Sequence, residues 1–418
     1  MRHPALPLLL IERLPFYYGW LVLACICCAG FSRQGPAVAT LSIFVEPMTR
    51  EFGWSRAAIS GAVSLGGLLG AFASPLLGPV LDRQGARLVL CCAVLGTGTA
   101  CMALSLTESL LVFYLLFCFA RMNWASPFDL GIYGALNNWF IARRALTNAI
   151  ATLAQSLGIV AMPLIAGFAI VHDGWRAGWL AVGATVLVVG FVPTWLLMVR
   201  RPEDVGLVPD RIMTPADTAA KAAAVVEPGY SRAEALRTRG FWLLALFTAL
   251  VYPVQAGVSL HQAVHLIERG LAPTTAAAVV STFTVMSSVA SFSSGFLPRG
   301  VPIRFALALC GALMAAAPAL MVGVETARDA YLAAALFGLG IGGILTLVPV
   351  AWADYFGRKS YGAIRGLALT IQVLAQAAGP LLAGALRDWT GDYRFALTCL
   401  AALSTASVLV ALAARKPR

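Results

Sequence analysis

Charged side chains are scarce in this chain: 12% of its 418 residues are Asp, Glu, Lys or Arg, against 60% that are hydrophobic. An ordinary soluble protein is about half apolar and about a quarter charged, so a soluble globular fold is excluded. The period-two alternation of membrane barrel strands is missing. So is a G-x-x-x-x-G-K loop that would signal ATP use. Cys25 and Cys28 form a C-x-x-C, but no second pair or nearby histidine completes a metal ligand set. All nine cysteines lie inside apolar runs, where free cysteine acts as a small hydrophobe, so neither a disulfide framework nor a zinc site is expected. The apolar stretch from Leu6 to Ile11 is short, is broken by Glu12 and lacks a small-residue cleavage site. Met1 to Phe16 is therefore expected to be a cytoplasmic lead into a first span. No cofactor and no metal are expected.

What the chain has instead is apolar length. Twelve apolar runs lie between Gly19 and Ala413, each long enough for the roughly 20 residues of a bilayer-spanning helix. The fold class is thus all-α integral membrane, with twelve transmembrane helices as two six-helix bundles. Between the sixth run (Gly178 to Val199) and the seventh (Phe241 to Leu266), residues 200–240 hold 13 of the 49 charged residues. The expected organisation is an N-terminal bundle over 1–199, a cytoplasmic linker over 200–240 and a C-terminal bundle over 241–418. Within the linker, Ser231-x-x-Glu234 fits a helix capping box and predicts a short helix leading into span seven.

The net charge of +11 reports topology rather than a nucleic-acid partner. With the N-terminus inside, 21 basic residues, Arg365 among them, fall on the cytoplasmic side and seven on the other. Cytoplasmic loops retain lysine and arginine, so both termini are expected in the cytoplasm and the protein in the cell membrane as a multi-pass chain. Two basic residues remain inside spans, Arg33 and Arg121.

The two halves also resemble each other at an offset of 217 residues: Gln155 with Gln372, Pro163 to Gly167 with Pro380 to Gly384, and Gly174 with Gly391. Together with the six-plus-six count this argues for a parallel duplication, with a binding site between the halves near the bilayer midplane.

After span two the chain reads Gly78-Pro-Val-Leu-Asp82-Arg83-Gln-Gly85-Ala-Arg87. This resembles the G-x-L-A-D-R-x-G-R-K signature of the major facilitator superfamily. Gly78 and Gly85 would permit close helix approach and a tight turn, while Asp82, Arg83 and Arg87, with Arg143 and Arg144 after span four, would form a charge-assisted conformational latch. The second-half counterpart, Gly295 to Gly300, has lost the acid. Tyr17-Tyr-Gly-Trp20, Phe52-Gly-Trp54-Ser-Arg56, Trp139-Phe140-x-x-Arg143-Arg144 and Gly379-Pro380 are similar to the branch of monocarboxylate porters and oxalate/formate antiporters. That resemblance implies a cavity lined by spans one, four, seven and ten, and a basic residue in span eight. Span eight (Thr275 to Leu297) carries no charge, and span eleven offers Gln372 and Gln376 instead, which weighs against a simple lactate-type carrier.

An ionisable side chain near the bilayer centre is costly unless it faces a cavity or a partner. Arg33 and Arg121 are therefore the leading substrate-binding candidates, since planar guanidinium forks suit a carboxylate. The alternative for each is a bond to helix carbonyls. Asn123, Tyr252, Gln255, Gln372 and Gln376 complete the candidate lining. Asp129 follows Arg121 by eight residues, too far along the helix to pair with it. It reads either as a proton-coupling carboxylate or as a partner of a rim cation such as Arg143. Gly338-x-Gly340-x-x-Gly343 sits mid-span and signals helix packing, not dinucleotide binding. His261 and His265 share one face of span seven without a third metal ligand, leaving a pH-sensitive gate or plain interfacial histidines.

The expected function is a secondary transporter of a small organic solute, a carboxylate-type anion, by alternating access with proton or counter-substrate coupling. The expected partners are that solute and the lipid bilayer, with the protein a monomer and not an enzyme. Efflux of drug-like compounds is the rival within transport; a membrane-embedded sensor or enzyme is the rival outside it.

Overall fold

The computed structural model describes residues 5–210, 229–297 and 301–417. Five basic residues of the topology count, Arg2, Arg211, Lys221, Arg299 and Arg418, lie outside them, as does Pro298 to Gly300 of the second-half motif. The helices in chain order are α1 (Ala5–Arg13), α2 (Gly19–Ser32), α3 (Val38–Phe52), α4 (Arg56–Gln84), α5 (Ala86–Leu104), α6 (Leu110–Ala125), α7 (Pro127–Trp139), α8 (Arg144–Thr185) and α9 (Val192–Leu197). They continue with α10 (Arg232–Arg237), α11 (Arg239–Glu268), α12 (Pro273–Ser294), α13 (Ile303–Val322), α14 (Ala327–Phe356), α15 (Tyr361–Thr390) and α16 (Arg394–Ala413). Among the described residues, ten continuous helical stretches are long and apolar enough to cross a membrane.

Ten stretches accommodate the twelve apolar runs because backbone breaks and fusions do not follow hydropathy. The first run is cut between α2 and α3. Pro36 has no N–H and disfavours helical geometry in the residue before it, and Ala37 is extended (φ −69°, ψ 156°). The fourth run is cut at Ser126 (φ −125°, ψ −73°), just before Pro127. The fifth and sixth runs fuse into α8, which turns back on itself at Gly174, where φ is +83° and only glycine is unstrained. The motif stretch after span two is mostly helix: α4 runs through Asp82 to Gln84, and Gly85 (φ +86°) alone separates it from α5. The capping box forms as expected, with Ser231 and Glu234 bonding each other's backbone N–H at the start of α10.

The internal duplication is visible in the backbone. Left-handed glycines fall at Gly53 and Gly270, and again at Gly174 and Gly391, each pair the same number of positions apart. Each turn demands positive φ, so the chain keeps glycine at both copies.

The chain folds as two compact units. The first comprises Met1–Gly229 with Arg358–Thr370, and the second Tyr230–Gly357 with Ile371–Arg418. Within the second, small residues bring α12 and α14 into backbone contact: a Cβ on Gly342 would collide with the Ser287 carbonyl, and one on Gly338 with that of Phe283. Within the first, Gly66 of α4 makes room for α6, because a Cβ there would lie 2.6 Å from Cβ of Arg121.

Candidate functional site

The two helix breaks of the first unit bring polar groups together in an apolar setting. Arg33 sits at the end of α2, 7% exposed. Its Nε donates to the Trp124 carbonyl at 2.9 Å, its Nη1 donates to Gln155 Oε1 at 2.8 Å, and its Nη2 lies 3.8 Å from Asp129. All three guanidinium nitrogens are thus directed at protein acceptors. Trp124 is the shared element: its indole N–H donates to Gln34 Oε1 at 3.2 Å, and its ring carries the guanidinium of Arg33 at 4.6 Å and that of Arg121 at 3.8 Å.

Arg121 is held differently. Its Nη1 makes one long bond, 3.5 Å, to the Pro36 carbonyl in the broken stretch between α2 and α3, and its buried Nε has no partner. No carboxylate among the described residues pairs with it. The stacked face of Trp124 offsets part of its desolvation, and its donors are engaged less than those of Arg33.

Asp129, in the first turn of α7 and 7% exposed, faces neither Arg121 nor Arg143. It lies between Arg33 and Arg365, whose Nη2 donates to Oδ1 at 3.2 Å. Arg365 is 1% exposed in the second turn of α15 and corrects the topology reading, which placed it among the loop cations. Its signal was its position four residues inside the apolar run that opens at Tyr361. Arg143 instead lies 4.0 Å from Asp210 and over the ring of Trp20. Gln155 extends the network, donating to the Tyr133 hydroxyl at 3.4 Å.

The signature motif meets the start of α15 inside the same unit. The Asp82 carboxylate accepts the backbone N–H groups of Gly362 and Ala363, both at 2.8 Å, as an acid at a helix N-terminus does. Cβ atoms on Gly78 or Gly362 would each strike the other's carbonyl, and Thr370 donates to the Ala71 carbonyl at 2.7 Å. The motif arginines point elsewhere: Arg83 is exposed, while Arg87 donates to the Trp195 carbonyl at 2.8 Å. Gly85 packs on the Arg200 side chain, and Arg144 is buried at the start of α8. Nearby, Tyr17 donates to the Trp139 and Val208 carbonyls. Burial, followed by the charges of Asp210 and Glu203, raises the pKa of its phenol above the ordinary value.

Asn123 is buried with its amide toward Gly96 of α5, on the helix-packing side. In the second unit, Gln376 Nε2 donates to Gln255 Oε1 at 2.8 Å, and Tyr252 and Gln372 are 4% and 7% exposed. The nine cysteines are all free.

Long apolar helices, glycine turns repeated 217 positions apart and buried arginines beside helix breaks mark a polytopic membrane protein. The family model described as Major Facilitator Superfamily matches residues 22–380, and the chain belongs to that superfamily. Mouse monocarboxylate transporter 11 is 27% identical over 389 residues, 90% of this chain and 83% of the mouse protein. The membrane sensor protein UhpC of Salmonella typhimurium is 27% identical over 362 residues, 82% of this chain and 80% of UhpC. Among solved structures, the human organic anion transporter MFSD10 (TETRAN) superposes with a TM-score of 0.69 at 16% identity, covering 94% of this chain and 98% of that one. This last likeness shows the fold alone.

Proposed function

We propose that the protein is a secondary transporter of a small organic anion of the carboxylate type, working by alternating access in the cell membrane with both termini in the cytoplasm. The observation that carries this reading is Arg121: a guanidinium at spanning depth, seated on Trp124, with its Nε unpartnered and no carboxylate beside it. A charge so placed is retained where a ligand of opposite sign completes it. Arg33, engaged at all three nitrogens, positions Trp124 and adds positive potential. Asp82, with Gly78 and Gly362, supplies the latch that steadies one end state. The six-plus-six bundle organisation, with residues 200–240 as linker, is part of the same reading, and the names of the monocarboxylate transporter relatives support the substrate class.

The test is a panel of mono- and dicarboxylates, scored for thermal stabilisation of the purified protein. At least one member stabilises the wild type and fails to stabilise Arg121→Ala. A panel in which no anion stabilises the wild type removes the reading. The similarity to UhpC favours one second reading, a solute sensor built on the same scaffold. It predicts carboxylate binding without flux in proteoliposomes, whereas the transporter predicts both.

A further inference from the structure

The polar cluster of the first unit contains no open proton acceptor. Asp129 is the one carboxylate classed as buried among the described residues, and it lies between the guanidiniums of Arg33 and Arg365. Both of its oxygens are thus engaged by cations, at 3.8 and 3.2 Å. The second unit holds a group of another kind. His261, half-buried on α11, reaches two other elements at once. Its Nε2 lies 3.2 Å from the Pro380 carbonyl of α15, and its Nδ1 lies 3.1 Å from the Tyr393 hydroxyl at the corner before α16.

The partners fix the tautomer. A carbonyl only accepts, so the proton sits on Nε2, and Nδ1 is then a bare lone pair that accepts the Tyr393 O–H. One ring nitrogen is therefore vacant in the neutral state, and it faces a hydroxyl able to reverse its role. When a proton from water binds Nδ1, the new N–H donates to the Tyr393 oxygen, and the phenolic O–H turns to another acceptor. Both histidine bonds become charge-assisted, and the ring already lies 5.2 Å from the Tyr393 ring.

The surroundings suit one added charge. Tyr393 also receives the edge of His265, at 6.0 Å, and the Arg387 guanidinium, at 6.0 Å. Arg387 is neutralised by Glu268 at 2.8 Å and lies 3.6 Å from Asp388. Asp392 accepts the Arg394 N–H, and Arg269 donates to the Val324 carbonyl. His265 is 2% exposed, with Nε2 2.7 Å from the Met321 carbonyl of α13, so its hydrogen bond ties α11 to α13. Tyr393 is the joint between α11 and the α15–α16 turn, where Gly391 (φ +86°) reverses the chain.

We propose that the second unit carries a proton site of its own at His261, read out through Tyr393 and the Pro380 carbonyl, and that its protonation tightens α11 against the α15–α16 corner. Histidine is the side chain whose charge ordinarily changes between about pH 5 and 8, and the site makes no use of Asp129. The proposal rests on no assumption about the solute.

The experiment uses the full-length protein in detergent and in proteoliposomes, with hydrogen exchange and melting temperature followed from pH 5 to 8. The expected result is increased protection of peptides spanning residues 255–268 and 380–397 at the acid end of that range, lost in His261→Gln and weakened in Tyr393→Phe, but retained in His265→Gln. His261→Gln keeps a donor for the Pro380 carbonyl, which separates proton binding from loss of packing. Protection that does not change with pH in the wild type, or a pH response unchanged in His261→Gln, overturns the proposal. A response abolished by Asp129→Asn and untouched by His261→Gln transfers the site to the first unit and overturns it as well.

Discussion

Replacing Asp129 by Asn tests the polar cluster most sharply. Its oxygens lie 3.2 Å from Arg365 and 3.8 Å from Arg33, and the three side chains are 10%, 2% and 9% exposed. At an effective dielectric near 20, pairs at such distances attract by roughly 4–5 kcal/mol each. Desolvation of the ions offsets much of that, so the net worth of the cluster is smaller than its parts. Removing one partner leaves the other charges buried and uncompensated, which costs about 3–5 kcal/mol. Asp129→Asn and Arg365→Met are each expected to destabilise the protein by about that amount. The double variant is expected to lose less than the sum, with a coupling of about 2 kcal/mol, inside the range seen for residues that touch. The assay is unfolding by SDS titration in mixed micelles, followed by tryptophan fluorescence, as a full double-mutant cycle. Two single losses that add to within about 0.5 kcal/mol would refute the claim that these residues act as one cluster.

Other consequences follow from the same geometry. Gly362→Ala places a methyl group against the Gly78 carbonyl, and overpacking of this kind costs about 1–3 kcal/mol; a thermal melt of the purified variant should fall accordingly. Ser231→Ala removes one half of the capping box of α10 and should cost about 1 kcal/mol locally, seen as faster amide exchange over Arg232–Arg237 with an unchanged global melt. Trp124→Ala removes the surface under Arg121 and the indole donor to Gln34, and carboxylate affinity measured by calorimetry should weaken at least about tenfold, or 1.4 kcal/mol.

Much of this was legible in the sequence because hydrophobic length and charge placement are strong signals in a membrane. Apolar run length sufficed for an all-helical membrane fold, and one motif of ten residues pointed to the superfamily. The positions of the breaks were less legible. The polar dips at Arg33 to Pro36 and at Ser126 are brief between long apolar stretches, and only the proline chemistry marks where the backbone leaves the helix. Arg365 was misplaced because a count of cations near loop ends cannot tell a side chain that snorkels outward from one that turns inward to Asp129. The roles of Arg33 and Arg121 differ for the same kind of reason. Both are lone arginines in apolar runs, yet Gln155 and the Trp124 carbonyl engage Arg33, while Arg121 keeps donors to spare. Those differences live in hydrogen bonds between residues 85 to 122 positions apart, which no local pattern records.

The central claim is that Arg121 binds the transported anion, and the direct measurement is uptake of a radiolabelled carboxylate, chosen from the stabilising panel, by proteoliposomes containing wild-type or Arg121→Ala protein reconstituted to equal, folded amounts. The account predicts saturable uptake by the wild type and a loss of at least about a hundredfold in the variant, equivalent to 2.7 kcal/mol or more. Uptake by Arg121→Ala at the wild-type rate and affinity would contradict it.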